Sequence, residues 1–322
     1  MKLNLNGMRR SALCAGLVLA GLLTSCGGGK QSETFHATRV LAFGDETSVI
    51  NSDGSKYTVN GVIAGTTTLD CTINPIWVQK VAASYGLVFP QCNPTAVVSP
   101  ASLIAAINGA TAADLVLQVD RQVANGGFVA NDLATVLVGA NDVVAQFQQY
   151  PAVTEAQLTA NVRASAATTG LQVNRMADLG AKVLISTIPD MGLTPFAGGR
   201  GTASAAVLSR LAGAYNDSLR LTISNDGRRI GLVLLNEYVQ GSAAAADAAS
   251  SGAAFVNAKD AACVPALPAC STLTLVSITA SGTTWFWADS QHLGAGAQAG
   301  LGALATSRLS IVPFLIRSPG GL

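Results

Sequence analysis

The sequence predicts an α/β fold: a doubly wound parallel sheet covered by helices on both faces. Three observations carry that expectation. The apolar runs are too continuous for half-exposed strands, longer helical stretches separate them, and turn residues close each run. Arg39-Val40-Leu41-Ala42-Phe43 is the first run, stopped by Gly44-Asp45. Residues 133–138 form the second, ending at Gly139-Ala140-Asn141-Asp142. Lys182-Val183-Leu184-Ile185-Ser186 is the third, stopping near Pro189-Asp190, and residues 230–235 are the fourth. Helices are expected over 115–123, 154–179, 208–223 and 295–309, the first three each leading into a strand. Sites in such sheets form beyond the carboxyl ends of strands, so the residues just after each run are the informative ones. Residues 66–100, with several prolines and two cysteines, and the Ala/Ser-rich stretch 243–281 break the rhythm. Both read as surface insertions that wall a binding cleft.

Composition sets the outer bounds. Hydrophobic residues make up 49% of the 322 and charged residues 11%, enough to bury a substantial core. The net charge is +1 with no basic block, which excludes a partner that needs a clustered cationic face, such as a nucleic acid. High Ala, Gly, Ser and Thr content with few Lys and Glu suits an exported bacterial protein.

The N-terminus is more specific. Lys2, Arg9 and Arg10 precede a short apolar stretch at 11–23, too brief to span a bilayer comfortably and suited to a cleaved signal. It ends Leu23-Thr24-Ser25-Cys26, followed by three glycines. This resembles the lipobox of bacterial lipoproteins and implies acylation of Cys26. Gly27 after the cysteine resembles lipoproteins released to the outer membrane. The expected organisation is a signal peptide at 1–25, a lipidated flexible tether at 26–36 and one domain at 37–316, facing the periplasm.

Cysteine usage agrees with export. Cys71, Cys92, Cys263 and Cys270 remain beside Cys14 and Cys26, and in an oxidising compartment they allow three pairings. The local pairing, Cys71 with Cys92 and Cys263 with Cys270, closes two short loops and is preferred. Zinc is disfavoured because no pair has knuckle spacing and the chain has two histidines. No metal or cofactor is expected.

Three segments carry chemistry. Gly44-Asp45-Glu46-Thr47-Ser48 follows the first strand, Gly139-Ala140-Asn141-Asp142 a later one, and Asp289-Ser290-Gln291-His292 precedes the last helix. Together with Ile107-Asn108-Gly109-Ala110 they resemble, in order, the blocks of GDSL/SGNH hydrolases. Leu117-Gln118-Val119-Asp120, residues 188–195 and Tyr215-Asn216 are also similar to that family, and the resemblance spans residues 40–309. It implies a three-layer, flavodoxin-like sheet and hydrolysis of acyl esters, lipids or acetylated glycans. Asn141 and Gly109 map onto oxyanion donors, His292 onto the general base and Asp289 onto its orienting carboxylate. Acyl transfer needs such a set: a nucleophile, a base whose tautomer is fixed, and donors aimed where charge develops.

The chain departs from that pattern at the nucleophile, where Glu46 stands in place of serine. Four readings follow. The protein is a non-catalytic relative that keeps the pocket for a ligand, with Glu46 paired to His292 and its charge blocking the oxyanion hole. Alternatively Ser48 takes the nucleophile role, although a strand-to-helix turn would rotate its hydroxyl away. In the remaining two, Glu46 attacks as a carboxylate nucleophile or serves as a base for water.

Overall fold

Successive side chains of a strand point to opposite faces of its sheet, and in this chain both faces are apolar. In the computed structural model, which describes residues 35–224 and 227–311, β1 spans Arg39–Gly44. Its Leu41 and Phe43 enter one core cluster, and Val40 and Ala42 enter another. The sheet continues with β2 (Leu103–Ile104), β3 (Asp132–Leu137), β4 (Lys182–Ser186) and β5 (Ile230–Val233). All neighbours are parallel, in the order β2-β1-β3-β4-β5. This is the flavodoxin-like doubly wound order.

Helices cover both faces, as the buried strands require. Against one face lie α2 (Ala112–Ala124), α3 (Ala140–Phe147), α4 (Glu155–Asp178) and, after the short α5 (Pro195–Gly198), α6 (Thr202–Thr222). The other face carries α1 (Trp77–Ala83), α7 (Leu235–Asp247) and α8 (Ala295–Ile311). The strand order reverses between β1 and β3, which opens a crevice beyond their carboxyl ends.

The two interrupted stretches are corrected by the structure. Residues 66–100 contain α1, whose Trp77 is fully buried in the core rather than on a surface insertion. Residues 243–281 include the last turn of α7 and β6 (Asn257–Ala261), which pairs in parallel with β7 (Trp285–Trp287) in a small second sheet. The fourth strand stops at Val233, because the chain turns into α7 at Leu235.

Disulfides join Cys71 to Cys92 and Cys263 to Cys270. Near the first, the fully buried Lys56 donates from Nζ to the carbonyls of Cys71, Ile73 and Asn74 at 2.8–3.0 Å. Phe35 and His36, expected at the end of the tether, pack against Tyr85. The signal segment, Cys26, the rest of the tether and residues 312–316 of the expected domain lie outside the described residues. Among the described residues no helix is long and apolar enough to cross a membrane.

Candidate active site

Backbone geometry at two strand ends builds the site. β1 stops at Gly44, whose φ is +113° and where a Cβ would fall 1.8 Å from the Leu137 carbonyl oxygen. Only glycine allows that approach, so the chain leaves β1 tightly against β3. Gln118 of α2 fixes the exit: it donates to the Gly44 carbonyl and accepts from the Gly44 N–H, at 2.9 and 2.8 Å. A single 3-10 turn, Glu46–Ser48, follows, capped by Asp45 accepting from the Thr47 N–H. At the end of β3, Gly139 has φ +123° and a Cβ there would meet the ring of Tyr215 at 2.1 Å. Tyr215 in turn donates to the Val138 carbonyl at 3.0 Å. This closeness starts α3 at Ala140 and puts Asn141 in its first turn, over the crevice.

Glu46 is the hub. One carboxylate oxygen, Oε1, lies 2.8 Å from His292 Nε2. The other, Oε2, accepts from the Gly109 N–H at 2.8 Å and from Asn141 Nδ2 at 3.2 Å. On its far side His292 Nδ1 contacts both oxygens of Asp289, at 2.7 and 2.8 Å. Asp289 also accepts from the N–H groups of Gln291 and His292, which locks the tight turn between Trp287 and Leu293. Asp142 accepts from the Ala112 N–H at 3.0 Å and so ties the loop carrying Gly109 to the helix carrying Asn141.

The structure therefore brings together Glu46, Gly109, Asn141, Asp289 and His292, and it excludes Ser48. The Ser48 hydroxyl is fully buried and accepts from Trp77 Nε1 at 3.2 Å. The 3-10 turn rotates it toward the α1 side of the core, so the displaced-serine reading has no hydroxyl at the crevice. The expected cleft walls are corrected as well. The cleft is lined by strand-end residues, among them Leu137, Pro189 and Leu235, and by Gln291 of the histidine turn, with nothing from 66–100 or 243–281. Its free volume is about 20 Å³, room for about one water molecule.

Electrostatics follow from this packing. Burial alone would push the His292 imidazole down, but the hydrogen bonds and charges of Asp289 and Glu46 outweigh it and raise the pKa to about 10. Burial opposes ionisation of Glu46, yet His292 and the Gly109 N–H hold its carboxyl below the usual range. Asp289 behaves likewise: burial is overcome by His292 and two backbone N–H groups. At neutral pH the three form a carboxylate–imidazolium–carboxylate chain with one net negative charge. Beside it Asp45 is pushed up to about 8, by burial first and then by the charge of Glu46.

Two neighbours escape sequence reasoning. The Tyr57 ring lies 6.2 Å from that of His292, and no motif marks it. Leu235 sits just past a strand end, where the topology rule would have found it. Among the described residues no group of His, Cys, Asp and Glu has the arrangement to hold a metal ion.

No protein-family model and no curated protein matches this chain. Solved structures do. An extracellular lipase from Streptomyces rimosus matches at 16% identity over 84% of this chain and 100% of its own, with a TM-score of 0.46. A lipase from a goat rumen metagenome matches at 10% identity, covering 84% and 96%, with a TM-score of 0.47. An acetylxylan esterase from Geobacillus stearothermophilus matches at 14% identity, covering 86% and 96%, with a TM-score of 0.43.

Proposed function

We propose that this chain is a lipid-anchored cell-envelope protein on a GDSL/SGNH-type scaffold whose hydrolytic site is disarmed and serves to bind or present a partner. The observation that carries the reading is the seat of Glu46. Its carboxylate fills the position from which a serine would attack and saturates the Gly109 and Asn141 donors that a reacting carbonyl would need. Withholding even one such donor costs on the order of 3–4 kcal/mol of transition-state stabilisation. His292 is held as an imidazolium, so at neutral pH it has no lone pair with which to take a proton. Anchoring through Cys26 is supported by the basic n-region, the apolar stretch and the small residues before the cysteine.

A second reading is favoured by one contact, the unbroken Asp289–His292–Glu46 chain. In it Glu46 attacks an ester carbonyl, His292 protonates the departing alkoxide, and the resulting anhydride is hydrolysed by water that neutral His292 deprotonates. Glu46 must first leave its donors for this to happen.

One assay separates the readings. The mature protein is tested on p-nitrophenyl esters of graded acyl length, beside Glu46→Ser, Glu46→Gln, Ser48→Ala and His292→Ala. The disarmed reading expects no turnover from the wild type above that of His292→Ala, and a gain with Glu46→Ser. Wild-type turnover that disappears in Glu46→Gln and His292→Ala would overturn it in favour of the carboxylate route.

A further inference from the structure

A second apolar feature lies away from the crevice. The end of α1 and the loop closed by the Cys71–Cys92 disulfide border a groove of about 240 Å³. Pro75, Ala83, Leu87, Val88, Phe89 and Pro94 line it, and no charged side chain does. Just beyond Pro94 the chain projects two valines into solvent. Val97 is 43% exposed and Val98 is 97% exposed. Asn93 holds them there, donating to the Val97 carbonyl and accepting from the Val97 N–H at 2.8 and 3.0 Å. An ordered loop that presents adjacent valines beside an apolar groove is costly in water, at about 25 cal/mol per Å² of apolar surface left exposed.

The position of the chain's entry says what covers this face. Phe35 packs edge-on against Tyr85 at 6.1 Å; Phe35 belongs to the core cluster that contains Phe89 and Cys92, and Tyr85 packs against that cluster. The polypeptide thus reaches the folded domain beside the groove. Cys26 lies nine positions before Phe35, which limits its distance to at most about 32 Å even in a fully extended chain. An acylated Cys26 would keep this side of the domain within that reach of the bilayer. We infer that the groove and the Val97–Val98 loop form a membrane-docking face that inserts its valines among the acyl chains of the leaflet holding the anchor. The inference rests on the anchoring at Cys26 proposed above. Docking here would fix the domain's orientation, which a single acyl anchor cannot do alone.

The test keeps the two apart. The mature chain, carrying an N-terminal hexahistidine in place of the lipid, is held on phosphatidylethanolamine/phosphatidylglycerol vesicles through a nickel-chelating lipid. Its amide hydrogen exchange is compared with that of the same protein free in solution. Exchange across 87–99 is expected to slow roughly tenfold on vesicles, and the slowing is expected to vanish in Val97→Asp/Val98→Asp. Both sites are exposed, so the double variant retains the fold. No slowing at 87–99, or slowing that survives the double substitution, overturns the proposal. Slowing that instead grows with protein concentration in vesicle-free solution assigns the groove to a second copy of the chain and also overturns it. Anchoring is read separately, from the intact mass of protein extracted from membranes. Absence of the acyl mass would remove the anchor while leaving the vesicle result to stand or fall by itself.

Discussion

His292 sits between two carboxylates, and its titration should report that directly. The imidazole is expected to remain protonated until about pH 10 by NMR. Replacing Glu46 with Gln removes one of the two partners that raise it and should move the midpoint down. The folded pKa exceeds the ordinary value of 6.5, so the contribution to stability is complete below 6.5 and is lost as pH rises through about 10. Urea unfolding at pH 6.5, 8 and 10 should therefore show the wild type losing its advantage over His292→Gln along that series. At the acid end the same ion pairs act through Glu46 and Asp289, whose pKa values are depressed. Their contribution is present above the ordinary carboxylate range and fades as pH falls through the lowered values. These are one set of contacts seen from both ends and are not added twice.

At the scale of elements, the glycines at the ends of β1 and β3 have the largest expected consequences. Gly44→Ala would drive a methyl group into the backbone of Leu137 at a φ that L-residues avoid. A loss of at least about 2 kcal/mol in urea unfolding is expected, with the site collapsing along with the strand exit. The main strands were legible in the sequence because strands buried on both faces spell continuous apolar runs. β2 was not, since two residues at a sheet edge leave no periodic signal. α1 was masked by the prolines and cysteines around it, and α3 by the resemblance of Gly139-Ala140-Asn141-Asp142 to a plain turn. Of the site, the five residues that converge were readable from their blocks, as was the pairing of Glu46 with His292. What stayed hidden depends on packing at a distance: the small free volume, the place of Tyr57, and the burial of Trp77 that captures the Ser48 hydroxyl.

For the whole molecule, the disulfides brace the segments that flank the sheet. Cys71 and Cys92 are 21 positions apart and Cys263 and Cys270 are 7 apart. Loop-closure entropy gives about 3 kcal/mol for opening the first and about 2.5 kcal/mol for the second. Paired Cys→Ser variants should show that order in unfolding midpoints. The first has a further reason to matter, because the Cys71 carbonyl is one of three that hold the buried Lys56. Thr58, two residues on, donates to the Leu293 carbonyl beside the histidine turn at 2.9 Å. The seat of Glu46 also has a consequence for how proteins of this architecture are detected. A side chain fixed on its donors has an effective molarity that no dissolved competitor matches, and the Ser48 hydroxyl is turned away toward Trp77. Fluorophosphonate and sulfonyl fluoride probes should leave the protein unlabelled, so a chemical survey that counts esterases by their reactivity would pass over this chain.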